Sequence, residues 1–216
     1  GNPSDPQASD DEIAYLCRAV NRYLARSVAP ADVVWKYAGV RPLYDDGTAN
    51  PSSVTRDYTL RVDDDRGSMP VLSVFGGKIT TYRRLAEHAM DKLAAYFPGL
   101  KPAWTRTVPL PGSDFAGPPA AAFAQLTARY PQIPAATLRG LFRRHGVLAA
   151  AVLGDARTAD DLGEDFGGGL HARELAYLIK EEWALTAEDI LWRRTKVGLH
   201  LSSRERERVV EWLTER

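Results

Sequence analysis

Residues 71–88 read VLSVFGGKITTYRRLAEH, and this stretch decides the fold of the first half of the chain. A short apolar run gives way to Gly76 and Gly77, then to Lys78 and two threonines, and then to apolar residues at helical spacing. That order predicts a strand, a tight turn and a helix. The first N–H groups of a helix lack internal partners and carry partial positive charge, and glycines let a ligand approach the backbone closely. The junction therefore favours an anion site, although an ordinary Gly-Gly turn followed by a solvated lysine has the same pattern.

One helix and two strands are predicted ahead of this junction. The helix covers 13–24, with Ser9 as its cap, and the strands cover 33–40 and 56–62. In the second strand, apolar residues alternate with polar ones, which suits a sheet with one buried face. Arg41 precedes a proline, which favours extended backbone, so its side chain is expected to project from the end of the first strand.

The composition changes after residue 100. The stretch 101–117 is rich in proline and glycine and is predicted to be a linker with room for one short strand at 105–108. Beyond it the spacing predicts helices alone, at 120–129, 134–145, 147–153, 171–185, 186–196 and 203–214. We therefore expect an α+β protein with a strand-containing domain over 1–104 and an all-helical domain over 105–216.

Composition excludes several classes of protein. The chain has 216 residues and equal numbers of basic and acidic side chains, 28 of each, so it has no global attraction for nucleic acid. Its single cysteine, Cys17, cannot form an internal disulfide and suits a reducing compartment. Its apolar runs fall short of the roughly 20 residues that a membrane span needs. We expect a cytoplasmic protein, with attachment to a membrane surface left open.

The candidate chemistry reduces to three basic residues. The four histidines are scattered without the spacing of a metal site, and neither a Gly-x-Ser-x-Gly nor a Gly-x-Gly-x-x-Gly motif occurs. Arg41, Arg56 and Lys78 remain, and together they would suit a small phosphorylated substrate because arginine offers paired donors to phosphate oxygens. The pattern does not show that they converge, and three ordinary surface charges would look the same.

Several segments closely resemble the C-terminal half of the FAD-dependent, quinone-linked (aerobic) glycerol-3-phosphate dehydrogenase family. They are residues 35–43 (WKYAGVRPL), 54–58 (VTRDY), 72–83 (LSVFGGKITTYR), 161–167 (DLGEDFG), 182–183 (EW) and 188–196 (EDILWRRTK). The resemblance runs from about residue 11 to the end of the chain. Several long motifs in the right order are far more specific than any one of them.

The resemblance implies a role for each matching residue. Arg41 and Arg56 would bind the substrate phosphate, and Lys78 would stabilise charge near both flavin and substrate. The positions that would line the isoalloxazine end of the flavin are Gly76, Gly77, Lys78, Thr80 and Thr81. The catalytic base is left unidentified, and no metal is implied. The fold implied is a small strand-containing segment of a flavin-oxidoreductase fold followed by an all-helical C-terminal domain.

The implied reaction is oxidation of glycerol 3-phosphate to dihydroxyacetone phosphate, with FAD as cofactor and quinone as electron acceptor. Because the dinucleotide fingerprint is missing, we expect a C-terminal fragment whose partner is the N-terminal portion of the same enzyme. Such a fragment should neither hold FAD tightly nor turn over substrate, and the full-length enzyme would be cytoplasmic or peripheral on the inner membrane. The alternative is a helical interaction module that forms a homodimer or docks on a membrane. Exposure of Trp183, Trp192 or Trp212 would favour that alternative, whereas burial would place them in a core.

Overall fold

The computed structural model describes residues 2, 4–40, 57–64 and 69–215. The chain forms two compact units, Gly1–Val108 and Pro109–Arg216, so their boundary lies a little beyond residue 104, where the sequence predicts the domain division. Arg41 and Arg56 both lie outside the described residues.

The first unit contains two α-helices and two strands in the part that the structure describes. They are α1 (Asp10–Val20), β1 (Thr59–Asp63), β2 (Val71–Phe75) and α2 (Tyr82–Leu93), with short 3₁₀ turns at Pro30–Asp32, Ile79–Thr81 and Ala94–Tyr96. Helix α1 begins at the Ser9 cap that its sequence predicts, and this cap is a capping box. The Ser9 hydroxyl accepts from the Glu12 N–H, and the Glu12 carboxylate accepts from the Ser9 N–H.

The two strands form an antiparallel ladder in which Thr59 faces Phe75 and Asp63 faces Val71. The predicted strand at 71–75 is confirmed, and β1 occupies most of the one predicted at 56–62. The strand predicted at 33–40 is wrong, because this described segment has no regular secondary structure. A strand requires a neighbour for its backbone hydrogen bonds, and within the described residues β1 and β2 pair only with each other.

The second unit is built of helices, as predicted. They are α3 (Pro119–Arg129), α4 (Ala135–His145), α5 (Ala149–Leu153), α6 (Ala172–Glu182) and α7 (Ser203–Thr214). The helix predicted at 147–153 is divided into a 3₁₀ turn and α5, and the one predicted at 186–196 is a π-helical segment, Asp189–Arg194. The strand predicted at 105–108, before this unit begins, is wrong. Those residues form a turn in which the Thr107 N–H donates to the Trp104 carbonyl.

The second unit has a substantial core, whereas the described part of the first unit buries little apolar surface. Leu126, Leu138 and Leu153 belong to one buried cluster of the second unit, and Leu175 and Ile190 belong to another. In the first unit Cys17 is the only buried apolar side chain among the described residues, and most of the exposed large apolar side chains of the described chain lie there. Apolar surface of this extent is typical of a unit that another polypeptide covers.

The three tryptophans singled out in the second unit have different surroundings. Trp192 and Trp212 are partly buried and pack against the second core cluster. Trp183 is 81% exposed and has left-handed backbone, with φ of 56°, at the carboxyl end of α6. Exposure, which would favour an interaction surface, therefore applies to Trp183 alone of the three.

Candidate functional site

The turn between β2 and α2 has the geometry that the sequence predicts, with one addition. Gly76 and Gly77 have φ angles of 69° and 105°, a region in which a side chain is strained. Lys78 then caps the 3₁₀ turn Ile79–Thr81, which leads into α2. The predicted order of strand, tight turn and helix is confirmed, and a 3₁₀ turn lies between the glycines and the α-helix.

The residues predicted to line a flavin all lie on this turn, but they differ in exposure. Lys78 and Thr80 are exposed, whereas Gly76, Gly77 and Thr81 are half-buried. The Thr81 hydroxyl and the Thr81 N–H both donate to the Lys78 carbonyl, each at 2.9 Å. Two donors of Thr81 are therefore used to close the turn, which leaves its hydroxyl oxygen available only as an acceptor.

The predicted phosphate-binding residues cannot be placed against this turn. Arg41 and Arg56 lie outside the described residues, so their convergence with Lys78 stays a prediction. Tyr58, two residues after Arg56 in the chain, is described and half-buried. It lies next to the turn, because a Cβ atom added to Gly77 would be 3.4 Å from the Tyr58 Cβ.

A tyrosine–histidine pair lies beside the turn, and the sequence analysis did not identify it. The Tyr58 hydroxyl and His88 Nδ1 are 2.5 Å apart, and their rings meet edge to face with centroids 5.8 Å apart. The same two side chains line an open concavity together with Leu60, Asp91 and Lys92. The alternation along β1 indicated only that Tyr58 faces inward. Its partner lies on a helix, and no sequence spacing relates the two.

A second polar cluster, absent from the sequence-based candidates, is buried in the second unit. Glu174 on α6 is 1% exposed. Its two carboxylate oxygens accept from Nε and Nη2 of Arg144, each at 2.6 Å, and one of them also lies 2.8 Å from Nε2 of His145. Arg144 Nη2 also donates to the Gly169 carbonyl. This paired geometry joins α4 to α6 and satisfies a buried charge.

The Glu174 carboxyl is held in its charged form. Burial alone would raise its pKa, but the hydrogen bonds from His145 and Arg144 and the positive charge of Arg144 outweigh burial, so the pKa lies below its ordinary value. The cluster lies among the helices of the second unit, where Glu174 is 1% exposed and connects α6 to α4. It is a structural element of that unit.

The described part of the chain contains neither a cluster of metal-ligating side chains nor a membrane-spanning helix. Among residues 2, 4–40, 57–64 and 69–215, no group of three or more His, Cys, Asp or Glu side chains is placed to hold a metal ion. None of the helices there has the length and apolar character needed to cross a membrane.

The chain thus contains a first unit with the glycine–lysine turn and a helical second unit with its own core. Residues 103–215, just over half of the chain, match the family model of the C-terminal domain of alpha-glycerophosphate oxidase. The chain therefore belongs to that family.

Three curated relatives extend this likeness over nearly the whole chain. The chain is 45% identical over 215 residues to the aerobic glycerol-3-phosphate dehydrogenase of Escherichia coli, which covers 100% of the chain and 43% of that protein. It is 45% identical over 213 residues to the glycerol-3-phosphate dehydrogenase of Pseudomonas aeruginosa, covering 99% and 42% respectively. It is 46% identical over 213 residues to the D-erythritol 1-phosphate dehydrogenase of Brucella abortus, covering 98% and 42%. The chain thus spans less than half the length of these relatives.

Proposed function

We propose that this chain is the C-terminal portion of an FAD-dependent dehydrogenase that oxidises glycerol 3-phosphate to dihydroxyacetone phosphate and passes the electrons to quinone. The observation that carries the proposal is the 45% identity over 215 residues to the aerobic glycerol-3-phosphate dehydrogenase of E. coli. Because the chain spans 43% of that relative, the activity is assigned to the longer enzyme and not to these residues alone.

The glycine turn suits one edge of a flavin. Gly76 and Gly77 present backbone without side chains, and the exposed Lys78 precedes the start of a helix. Bound FAD would supply the acceptor for a hydride from the carbon that carries the substrate hydroxyl. The Lys78 ammonium and the N–H groups of the first helical turn would favour the negative charge that develops at this edge. Thr80, with an exposed hydroxyl, would add a hydrogen-bonding group.

Arg41 and Arg56 are proposed to bind the substrate phosphate. A guanidinium presents two parallel donors to phosphate oxygens, and two such groups would orient the substrate with its hydroxyl-bearing carbon toward the flavin. Lys78 would act electrostatically, and we assign no catalytic base to this chain. The N-terminal portion of the enzyme would supply the dinucleotide-binding unit.

The identity of the polyol phosphate has a second candidate. The D-erythritol 1-phosphate dehydrogenase of Brucella abortus is 46% identical to the chain, which matches the value for the glycerol-3-phosphate relatives. The two substrates share a phosphate and a neighbouring hydroxyl and differ in chain length. Comparing kcat/KM for both substrates with the intact enzyme distinguishes them, and we expect glycerol 3-phosphate to be preferred.

Flavin content and turnover test the proposal. We expect the purified 216-residue chain to lack stoichiometric flavin absorbance and to be inactive in a dye-linked glycerol-3-phosphate assay. The intact enzyme with its N-terminal portion should be yellow and active. A stoichiometrically yellow, active chain would contradict the fragment assignment, and an intact enzyme inactive on both polyol phosphates would contradict the function.

The helical unit is a candidate for an additional interaction role in the same enzyme. Trp183 and Leu185 are 81% and 82% exposed on either side of the buried Ala184. Such a pair suits a homodimer contact or peripheral attachment to the inner membrane. Sedimentation and liposome pelleting of the chain and of Trp183→Ala test this, with Leu199→Ala as the control. A chain that is monomeric and does not pellet with liposomes would contradict this role.

A further inference from the structure

The turn between β2 and α2 has glycine, and therefore no side chain, at positions 76 and 77, where the backbone changes direction. Gly76 and Gly77 have access to more backbone conformations than any other residue, so a turn built from them is held only by its surroundings. The position of Lys78, the next residue, depends on this turn. The residues that pack against Gly76 and Gly77 therefore determine the position of the Lys78 Cα atom.

Tyr58 is one residue that packs there. Since Thr59 faces Phe75 in the ladder, Tyr58 precedes β1 at the level where Gly76 follows β2. A Cβ atom added to Gly77 would lie 3.4 Å from the Tyr58 Cβ and 3.4 Å from the Leu85 Cδ1. These would be ordinary contact distances for that atom, so Tyr58 and Leu85 lie on the side of Gly77 from which a side chain would project.

Tyr58 is in turn anchored to α2. Its hydroxyl lies 2.5 Å from His88 Nδ1, and the two rings make an edge-to-face contact. His88 belongs to the same helix that follows the turn. Tyr58, directly before β1, therefore lies beside Gly77 and is hydrogen-bonded to the helix that follows the turn.

We propose that Tyr58, anchored by His88, is a positioning residue for Lys78. The inference rests on the proposed function and extends it to two residues outside the flavin-lining and phosphate-binding set. Tyr58 holds the Gly76–Gly77 backbone against β1, and this contact places the lysine ammonium relative to the reacting groups. Because small misplacements at a reacting centre slow the chemical step, the effect belongs to the rate of flavin reduction and not to substrate binding.

The first unit contains a matched control. The Tyr96 hydroxyl donates to Asp64 Oδ2 at 2.7 Å. This bond joins the residue after β1 to the 3₁₀ turn after α2, so it links the same strand and helix at the end remote from Lys78. Replacing either tyrosine by phenylalanine removes one hydroxyl bond between the same two elements, and only Tyr58 adjoins the turn.

The experiment compares Tyr58→Phe, Tyr96→Phe, His88→Ala and His88→Asn in the intact dehydrogenase by stopped-flow flavin reduction with glycerol 3-phosphate. We expect Tyr58→Phe and His88→Ala to slow reduction by about 10-fold while KM changes by less than about 2-fold. His88→Asn keeps an acceptor near the position of Nδ1 and should retain most of the rate. The double variant Tyr58→Phe/His88→Ala should be no slower than either single variant, because both remove one interaction. Tyr96→Phe should reduce at the wild-type rate.

Equal rates in Tyr58→Phe and Tyr96→Phe would overturn the inference, as would a Tyr58→Phe effect confined to KM. Failure of His88→Asn to restore the rate lost in His88→Ala would also count against it. If the wild-type enzyme were not reduced by polyol phosphates, the proposed function would fail and take this inference with it. An active wild type with equal tyrosine variants would overturn the inference alone.

Discussion

At the scale of single residues, Glu174 shows how a buried charge is kept in a small helical core. Its carboxylate accepts two short hydrogen bonds from Arg144 and lies 2.8 Å from His145. The sequence does not indicate that these residues contact one another. Arg144 and Glu174 are on different helices, so no helical spacing relates them. The ion cluster around His145 was therefore not predicted from the sequence.

Replacing Glu174 by glutamine should destabilise the second unit by about 3 kcal/mol, since the buried Arg144 charge would lose its partner. Urea unfolding followed by circular dichroism measures the change. Glu181→Gln on the same helix is the control, because Glu181 is exposed and pairs with the neighbouring Lys180. Equal stability of the two variants would show that the Glu174 cluster contributes little.

The same residue should affect acid stability in a defined direction. The folded-state pKa of Glu174 lies below its ordinary value of 4.5. Its contribution is therefore fully present at neutral pH and is lost as the pH falls from about 4.5 through the folded-state value, where the unfolded state binds the extra proton. Glu174→Gln removes this titration, so the stability difference between wild type and variant should shrink below pH 4.5.

At the scale of elements, helices and strands with strong local sequence signals were predicted correctly. A predicted strand was wrong where it has no neighbouring strand in the described part of the chain. The strand at 71–75 and helix α7 have strong local signals, a glycine turn and a capping box, and both were predicted correctly. The segment 33–40 has strand-forming residues, but a strand needs a neighbour that its own sequence does not specify. The helix predicted at 186–196 is a π-helical segment, and at its end the Thr195 N–H donates to the Ile190 carbonyl. Periodicity cannot distinguish such a segment from an α-helix.

Helix α7 offers a direct test of a local signal. The Ser202 hydroxyl accepts from the Glu205 N–H, and the Glu205 carboxylate accepts from the Ser202 N–H at 2.7 Å. Ser202→Ala should lower stability by about 1 kcal/mol because a first-turn N–H loses its partner. Ser203→Ala, one position into the helix, should have a much smaller effect. Thermal melts of the two variants that coincide would contradict the cap.

At the scale of the whole molecule, the two units differ in how much apolar surface they bury. The second unit contains two buried clusters, and the described part of the first has Cys17 as its only buried apolar side chain. The all-helical nature of the second half followed from its periodicity. The shortage of core in the first unit could not be predicted, because its apolar residues look equally suited to an internal core or to a surface covered by another segment.

This difference predicts separate behaviour of the two units when the chain is divided. Residues 109–216 alone should unfold cooperatively in urea, because their buried clusters lie within the fragment. Residues 1–108 alone should bind the dye ANS and lack a cooperative transition. A cooperative transition in 1–108 would show that this unit needs no covering polypeptide.

The proposed role of this chain is to supply one side of the active site of a polyol-phosphate dehydrogenase. The most direct test is KM for glycerol 3-phosphate in the intact enzyme after Arg41→Ala and Arg56→Ala, with Arg61→Ala on β1 as the exposed control. Loss of either phosphate-binding guanidinium should weaken substrate binding by roughly 2–5 kcal/mol without loss of flavin, and Arg61→Ala should leave KM unchanged. An unchanged KM in both Arg41→Ala and Arg56→Ala would contradict the account.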